Sequence, residues 1–344
     1  MTEENSKSVL TAGRRYSAEE RRAGVADFGV LLLNMGGPER LEYIEEYLGE
    51  LMADREMIRL PLGRLYQDRL ARFIAAWRAP LVRHRYAAIG GGSPLGEITR
   101  RQAAALSGEL RRPVSCALRY TSPRTAEALA ELLAQGVRGV VALPLYPQYS
   151  RATTGSALAD LWSCKRDCRV AVVRDHHEEP GYIEALAENL RPLLADWSGS
   201  EDCRVLFVAH SLPLKYVRGG DPYVQQTRRT VELVARAAGL QDCNWLLGFS
   251  SRVGPVRWQG PTLAECLARL KSEQVRRLAV LPVSFVAENL ETLWDLDIVF
   301  RKQCAAAGIV SFRRAPAVGE SPGYIGTLAR LARQAAAELE ALHG

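Results

Sequence analysis

Eight short runs of apolar residues divide the chain, and longer amphipathic segments separate them. The runs are rich in Val, Leu and Ile and alternate little between apolar and polar positions, which is typical of parallel strands buried on both faces. The segments between them, such as 122–135 and 262–272, repeat apolar positions at helical spacing. This alternation predicts an α/β fold with right-handed crossovers. The runs begin at Gly29, Ser115, Gly139, Cys168, Cys203, Asn244, Arg276 and Gly308.

The two halves of the chain resemble each other, since each has four runs and the third run of each carries Leu-Pro followed closely by an aromatic residue. The repeat predicts two similar Rossmann-like domains, each a four-stranded parallel sheet flanked by helices, with a ligand cleft between them. The first domain is predicted over 27–198 and the second over 199–320, with a hinge near 197–202. Residues 321–344 are predicted to form a helix that packs back on the first domain.

One region interrupts the alternation, because about 80 residues separate the first two runs and a crossover needs only about a dozen. Its segment 55–95 mixes apolar residues with arginines, and predicts either a core helix or an amphipathic lip. Such a lip would rest in a membrane interface and admit an apolar ligand. The residues concerned are Leu62, Leu65, Tyr66, Leu70, Phe73, Ile74 and Trp77, with Arg64, Arg69, Arg72 and Arg78.

The composition is that of an ordinary globular protein, with 47% hydrophobic and 24% charged residues. The net charge of +6, from 45 basic and 39 acidic residues, is spread along the chain. It suits acidic small molecules or an anionic membrane surface and argues against a nucleic-acid partner. No apolar run approaches the roughly 18 residues of a membrane span. Residues 1–26 lack the apolar core of a signal peptide and are predicted to be a mobile extension on a cytoplasmic protein.

The candidate chemistry follows two predicted strands in the second half. Glu288, Glu291 and Asp295 come after one strand, and their spacings of three and four predict three carboxylates on one helical face. His210 ends another buried strand. Ligands of open α/β sheets bind at such strand ends, and a histidine there is a natural base for proton transfer. A solvated helix face and a hydrogen-bonded core histidine are the alternative interpretations.

Seven segments, in order, resemble the ferrochelatase family from about Phe28 onward. They are LLLNMGGP, YAAIGGGSPL, ALRYTSP, LPLYPQYSRATTGSAL, VAHSLPLKYVRGGDPY, FSSRVGPVRWQGP and FVAENLETLWDLD. The resemblance implies insertion of ferrous iron into protoporphyrin IX, the last step of haem synthesis, in a porphyrin cleft between the two domains. It also implies that no nucleotide binds, which agrees with the missing GxGxxG and Walker patterns.

Other functions stay open at this point: a coproporphyrin III ferrochelatase, a cobalt or nickel chelatase for another tetrapyrrole, or a non-catalytic tetrapyrrole-binding protein. The GGGSP segment and the amphipathic lip favour protoporphyrin, whose apolar vinyl edge suits a pocket beside a membrane. We therefore expect a cytoplasmic enzyme with a peripheral contact on the cytoplasmic face of the inner membrane. The sequence leaves the oligomeric state open.

The resemblance carries roles onto matching residues. His210 in AHSLP and Glu291 in the ETL motif are the implied catalytic pair, which would take pyrrole protons and contact the substrate iron. Glu288 and Asp295 would continue the acidic face as a relay for protons or metal. The residues implied to bind the porphyrin are Asn34, Met35, Arg78, Tyr86, Arg119, Tyr120, Tyr146 and Trp258.

Within that set, Arg78 and Tyr86 match lip residues that would hold propionates.

One position departs from the family, which usually has a His just after the acid in a D-H-x-E-T-L arrangement. Here Asn289 follows Glu288. Because Asn does not titrate, either that His is dispensable or Glu288 takes its place.

Seven cysteines without a secretory signal argue against a disulfide framework. The C-terminal cysteine group that holds a 2Fe–2S cluster in the animal type is missing, since no Cys follows Cys304. Cys164, Cys168, Cys203 and Cys243 lie near predicted strand starts, opposite the cleft. They predict a different 2Fe–2S centre with four thiolate ligands, or else are scattered buried thiols.

Overall fold

The computed structural model describes residues 28–56, 64–165, 168–197, 200–251 and 256–341. The side chains at 64, 65, 243, 340 and 341 also lie outside the description. Several predictions fall wholly or partly on undescribed residues: the N-terminal extension 1–26, part of the hinge at 198–199, part of the lip at 57–63 with the side chains of Arg64 and Leu65, and the end of the C-terminal helix at 342–344.

Within the described residues, eight parallel strands form two sheets of four, ordered β2-β1-β3-β4 and β6-β5-β7-β8. All eight predicted runs contain a strand, and the prediction of two similar four-stranded parallel sheets is confirmed. The bounds are β1 (Phe28–Asn34), β2 (Val114–Leu118), β3 (Gly139–Pro144), β4 (Arg169–Val172), β5 (Cys203–His210), β6 (Trp245–Ser250), β7 (Arg277–Pro282) and β8 (Ser311–Arg314).

Helices connect the strands, and those predicted at 122–135, 262–272 and 322–343 are present as α4, α9 and α11. The α-helices are α1 (Ile44–Ala53), α2 (Arg64–Ala88), α3 (Leu95–Leu110), α4 (Thr125–Ala134), α5 (Ser156–Cys164), α6 (Pro180–Leu194), α7 (Leu214–Arg218), α8 (Tyr223–Ala237), α9 (Leu263–Ser272), α10 (Arg301–Ala306) and α11 (Pro322–Ala341). Arg151–Gly155 and Glu291–Phe300 are π-helices, and Leu41–Tyr43, Ala195–Trp197 and Asp242–Asn244 are 3₁₀ turns.

The sheets are covered on both faces, as their continuous apolar sequences predict. One face of each sheet contributes to a shared core, in which Leu32 of β1 and Phe207 of β5 join Tyr182 of α6 and Tyr324 of α11. The other faces have separate cores. Helices α4 and α5 cover the first sheet, and α9 with the π-helix Glu291–Phe300 covers the second. The two sheets are therefore joined by continuous apolar packing, to which α11 contributes.

The pairing register places the candidate chemistry. In the first sheet Asn34 aligns with Leu118, and in the second His210 aligns with Ser250. Because the strands are parallel, the segments that leave their carboxyl ends lie along one edge of each sheet. These segments carry most of the residues selected from the sequence.

Helix α2 turns its large apolar side chains outward. Phe73, Trp77 and Leu81 are 73%, 70% and 56% exposed, whereas Ala75 and Ala79 pack into the cluster formed with α1. The core-helix alternative is therefore wrong for these large side chains, and an exposed lip describes them. In the part of the chain that the structure describes, no helix is long and apolar enough to cross a membrane.

Candidate active site

His210 and Glu291 meet at the carboxyl edge of the second sheet. His210 ends β5, and Glu291 begins the π-helix that follows β7. The His210 Nδ1 atom lies 2.8 Å from Oε1 and 2.9 Å from Oε2 of Glu291. With Nδ1 bound to the carboxylate, Nε2 is the ring nitrogen left for a ligand, and the His210 side chain is 43% exposed. The structure thus brings together the two residues predicted to act as a pair, whose catalytic role stays a prediction.

The charges of this pair stabilise each other. Burial disfavours an imidazolium, but the attraction and hydrogen bond of Glu291, with a further effect of Asp295, outweigh it and raise the pKa of His210. Burial likewise opposes a charged Glu291, yet His210 and the hydroxyls of Ser251 and Ser250 lower the pKa of its carboxyl group. The site therefore favours an imidazolium–carboxylate pair.

Asp295 supplies a second carboxylate beside the pair. Burial and the charge of Glu291 raise the pKa of Asp295 to about 6, although Arg85 and His210 act in the opposite direction. Arg85 belongs to α2, so the lip helix contributes to the electrostatics of the site. The preceding residue, His84, packs edge-on against Trp294 of the π-helix, with ring centroids 5.3 Å apart.

The prediction that Glu288 shares a helical face with Glu291 is wrong. The π-helix begins at Glu291, and Glu288 lies in the turn before it. Its Oε1 atom is 2.8 Å from Nη1 of Arg314 and accepts the backbone N–H of Ala317 at 2.9 Å. Helical spacing places side chains on one face only within a helix, so Glu288 is instead engaged away from the pair.

Aromatic residues of the first domain form a wall next to the pair. Tyr47 of α1, Tyr86 of α2 and Tyr120 after β2 pack in one apolar cluster, with Met35 against it. The rings of Tyr47 and Tyr120 lie 6.3 Å apart in an edge-on arrangement. Burial raises the pKa of Tyr47 and Tyr86, and the charge of Glu291 raises both further. Met35, predicted to approach a macrocycle, therefore lies beside the candidate site.

The two residues predicted to hold propionates at the lip differ in burial. Arg78 is half-buried on α2. Tyr86 is only 5% exposed and belongs to the aromatic wall. The end of α2 thus runs into the interior, and a propionate contact of Arg78 or Tyr86 stays a prediction.

Arg119 and Tyr120 are held by Asp54, a buried acid that the sequence analysis missed. The Tyr120 hydroxyl donates to Asp54 Oδ2 at 2.7 Å, and the Ser156 hydroxyl donates to the same oxygen. The Arg119 guanidinium lies 3.2 Å from both Asp54 and Asp160. Burial opposes the charge of Asp54, but these hydrogen bonds and Arg119 lower its pKa. The only signal in the sequence is an acid that ends an apolar helical segment.

Asn34 does not present a free amide to a ligand. Its Nδ2 donates to the Thr99 hydroxyl at 2.9 Å, and its Oδ1 accepts the N–H of Met35 at 2.8 Å. Gly36 follows with φ +78°, and a Cβ there would collide with the side chain of Thr121. The Asn34 side chain therefore shapes the turn after β1, and its contact with a porphyrin stays a prediction.

Tyr146 and Trp258 lie where the strand ends predict. Tyr146 follows β3 and is half-buried, and burial together with the charges of Tyr47 and Asp54 raises its pKa. Trp258 forms an isolated bridge with Pro213, three residues after His210. Their contact with a porphyrin stays a prediction.

Two further residues that the sequence analysis missed fix the backbone of His210. Its N–H donates to the Ser284 hydroxyl at 2.9 Å, and its carbonyl accepts the Tyr223 hydroxyl at 2.9 Å. Tyr223 lies in GGDPY, within a segment that resembles the family, and Ser284 lies in LPVSF, at the end of a predicted strand run. These positions were the available signal in the sequence.

Comparison with known proteins identifies the family. A family model described as ferrochelatase matches residues 27–336. The ferrochelatases of Geobacter metallireducens and Gloeobacter violaceus are each 41% identical to this chain, over 312 and 320 residues. These alignments cover 89% of this chain in both cases, and 98% and 97% of the relatives. The chain belongs to the ferrochelatase family. It is therefore a metal chelatase, an enzyme of haem biosynthesis.

A solved structure supports the same fold. SirB from Bacillus subtilis with Fe³⁺ matches with a TM-score of 0.54 over 92% of this chain and 98% of SirB. At 11% identity this likeness concerns the two-sheet architecture alone.

Asn289, where the ferrochelatase family usually has His, lies just before the π-helix. Its Oδ1 accepts the backbone N–H groups of Glu291 at 2.8 Å and Thr292 at 3.2 Å. In return the Thr292 hydroxyl accepts the N–H of Asn289 at 3.0 Å. Asn is among the preferred N-cap residues because its carbonyl satisfies such free N–H groups. In this ferrochelatase, then, the position holds the start of the helix.

The cysteines predicted to hold a 2Fe–2S cluster do not fit one. Cys168 lies in the outer core of the first sheet, whereas Cys203 packs against the shared core. Burial raises the pKa of the Cys164 and Cys203 thiols. Among the described residues, no three or more His, Cys, Asp or Glu side chains form a group that could hold a metal ion. The Cys243 side chain lies outside the description.

Proposed function

We propose that the protein inserts ferrous iron into protoporphyrin IX, with His210 and Glu291 as the catalytic residues. The observation that carries the proposal is their hydrogen-bonded pair, with Nδ1 2.8 Å from the carboxylate. It stands at the edge of the second sheet and faces aromatic residues of the first domain. A flat, largely apolar macrocycle suits the space between Met35 and this pair.

Insertion requires that two pyrrole N–H groups lose their protons while the ring nitrogens bind iron. Glu291 increases the basicity of His210 and orients its ring, so that Nε2 faces the substrate once its own proton has left. Asp295, with a pKa of about 6, is suited to take protons from the pair and release them to water near neutral pH. The reaction consumes one porphyrin and one Fe²⁺ and releases one haem and two protons.

Iron enters as a substrate and has to be released into the ring. The Nε2 atom of His210 and the carboxylate of Glu291 are the proposed donors. Carboxylate oxygens hold ferrous iron less firmly than thiolates would, which favours transfer. Because the described cysteines do not fit a cluster, the proposal includes no step that involves an iron–sulfur centre.

The substrate is tested by metal insertion with protoporphyrin IX and coproporphyrin III, each with Fe²⁺, Co²⁺ and Ni²⁺. We expect the highest kcat/KM with protoporphyrin and Fe²⁺, because Phe73, Trp77 and Leu81 expose apolar side chains on α2, and the end of this helix joins the aromatic wall. Coproporphyrin carries two additional propionates in place of the vinyl groups. A preference for coproporphyrin would overturn this part of the proposal.

The catalytic pair is tested by Glu291→Gln, which keeps the shape of the side chain and removes its charge. We expect kcat to fall at least about 100-fold, the usual range for loss of an acid–base group, while porphyrin still binds and quenches protein fluorescence. Glu273→Gln is the matched control, since Glu273 pairs with Arg204 and Arg269 away from the site. Near-normal turnover in Glu291→Gln would refute the role.

The proposal includes a peripheral contact with the cytoplasmic face of the inner membrane. Phe73, Trp77 and Leu81 project from α2 beside the exposed Arg69 and Arg72, a combination suited to an anionic lipid surface. Co-sedimentation with vesicles that contain phosphatidylglycerol tests the contact.

In that assay, we expect a much smaller fraction of the double variant Phe73→Ser, Trp77→Ser than of the wild-type protein to pellet with the vesicles. The variant Trp162→Ser is the control, because Trp162 is also exposed, at 49%, but lies on α5. Equal pelleting of the three proteins would exclude α2 as the contact.

A further inference from the structure

Arg314 connects both ends of the segment that carries the catalytic carboxylates. It is the last residue of β8, and its side chain is only 9% exposed. Its Nη1 atom lies 2.8 Å from Glu288 Oε1, ahead of the π-helix. Its Nε donates to both oxygens of Asp297 at 2.9 and 3.0 Å, and its Nη2 to Oδ2 at 2.6 Å, inside the π-helix. A single guanidinium therefore binds carboxylates on either side of Glu291.

This arrangement uses properties that are specific to arginine. Burial disfavours the charged guanidinium, but hydrogen bonds to Asp297 and Glu288 and their charges more than offset this and raise the pKa of Arg314. The planar fork offers donors in fixed directions, so that both carboxylates are held in defined positions. A lysine keeps the charge but cannot bind both groups with the same geometry.

The π-helix packs on one face of the second sheet through Leu296 and Phe300, and the Arg314 contacts add polar attachments at its start and within it. The π-helix extends over ten residues, whereas most π-helical segments are single turns and occur at functional sites. Asp297 is two residues beyond Asp295. Glu288 Oε1 also accepts the Ala317 N–H at 2.9 Å, which ties the turn before the helix to the chain after β8. Arg314 thus fixes the helix to the second sheet without contacting the pair.

We propose that Arg314 is a positioning residue for metal insertion, which holds the Glu291 carboxylate against His210 Nδ1 through Glu288 and Asp297. This inference rests on the proposed role of the His210–Glu291 pair. A displacement of about 1 Å at a reacting group can lower the rate by about 100-fold. Loss of the clamp, formed by Arg314, Glu288 and Asp297, therefore affects turnover more than porphyrin binding.

The test compares Arg314→Met and Arg314→Lys with Arg313→Met. Arg313 is the neighbouring residue on β8, but it binds Asp196 and lies over Trp197, away from the π-helix. We expect kcat to fall at least about 10-fold in both Arg314 variants, with the porphyrin dissociation constant changed less than about twofold. Arg313→Met should leave both unchanged.

A second measurement separates positioning from general stability. The His210 imidazole is titrated by NMR, and its pKa should fall in folded Arg314→Met protein, because the Glu291 carboxylate no longer lies against it. If Arg314→Met does not fold, Asp297→Asn is titrated in its place. This variant removes half of the clamp and should cause a smaller shift of the His210 pKa in the same direction. An unchanged His210 titration in folded Arg314→Lys and Asp297→Asn would overturn the inference. This readout does not need turnover, so it remains decisive even if the wild-type protein inserts iron into neither porphyrin.

Discussion

Removal of the Asn289 side chain should separate catalysis from stability. Its Oδ1 accepts the N–H of Glu291 at 2.8 Å and of Thr292 at 3.2 Å. Loss of an N-cap typically costs about 1 kcal/mol, and in a chain of this size that lowers Tm by about 2 °C. Without the cap, Glu291 at the start of the π-helix is held less firmly, although its carboxylate must stay 2.8 Å from His210 Nδ1. Small displacements at reacting groups lower the rate by up to about 100-fold. We therefore expect kcat to fall by a larger factor than the loss of about 1 kcal/mol of stability explains.

The assay measures initial rates of iron insertion and thermal unfolding for Asn289→Ala, Asn289→Ser and Asn289→Asp. A serine hydroxyl still caps the helix, so Asn289→Ser should keep most of the wild-type kcat. Asn289→Asp should also keep the cap, but its charge should raise the pKa of Glu291 and shift the pH profile. The reasoning is refuted if Asn289→Ala and Asn289→Ser have the same kcat, or if kcat of Asn289→Ala falls only in proportion to the folded fraction.

The remaining predictions concern the half-buried Asp295 and the buried Asp54. Burial and the charge of Glu291 raise the pKa of Asp295 to about 6, so Asp295→Asn should remove an ionisation near pH 6 from the kcat profile, and an unchanged profile would contradict this. Since the raised pKa makes ionisation of Asp295 unfavourable to folding, its contribution to stability falls as pH rises from the ordinary value of 3.8 to about 6. Asp54→Asn should lower the free energy of unfolding by about 3 kcal/mol, because it leaves part of a buried ion pair uncompensated. Denaturant unfolding measures that loss, and a change under about 0.5 kcal/mol would contradict it.

The sheets could be predicted because their sequence signal is local. A strand covered on both faces must be apolar at consecutive positions, and the strands that end at Asn34, His210 and Pro282 lie in predicted runs that meet that condition. Which faces pack together is not a local property. The shared core that joins Leu32 to Phe207 could not be predicted, since periodicity indicates that a face is buried but not what covers it.

At the candidate site, strand ends were more informative than helical spacing. His210 and Glu291 follow two strands that are not adjacent in sequence, yet parallel pairing brings them together. Glu288 was misplaced because the cap at Asn289 starts the helix after it. The bond from the Tyr120 hydroxyl to Asp54 could not be predicted, because a contact between residues far apart in the chain leaves no pattern in a single sequence.

The insertion that breaks the strand–helix alternation is part of the site, not an addition to it. At the end of α2, three consecutive residues reach different parts of the candidate site. His84 packs on Trp294 of the π-helix, Arg85 lowers the pKa of Asp295, and Tyr86 lies in the aromatic wall. The same helix presents Phe73 and Trp77 to the exterior. The helix therefore faces the exterior along one part and reaches the candidate carboxylates at its end, where the charge of Arg85 favours the ionised form of Asp295.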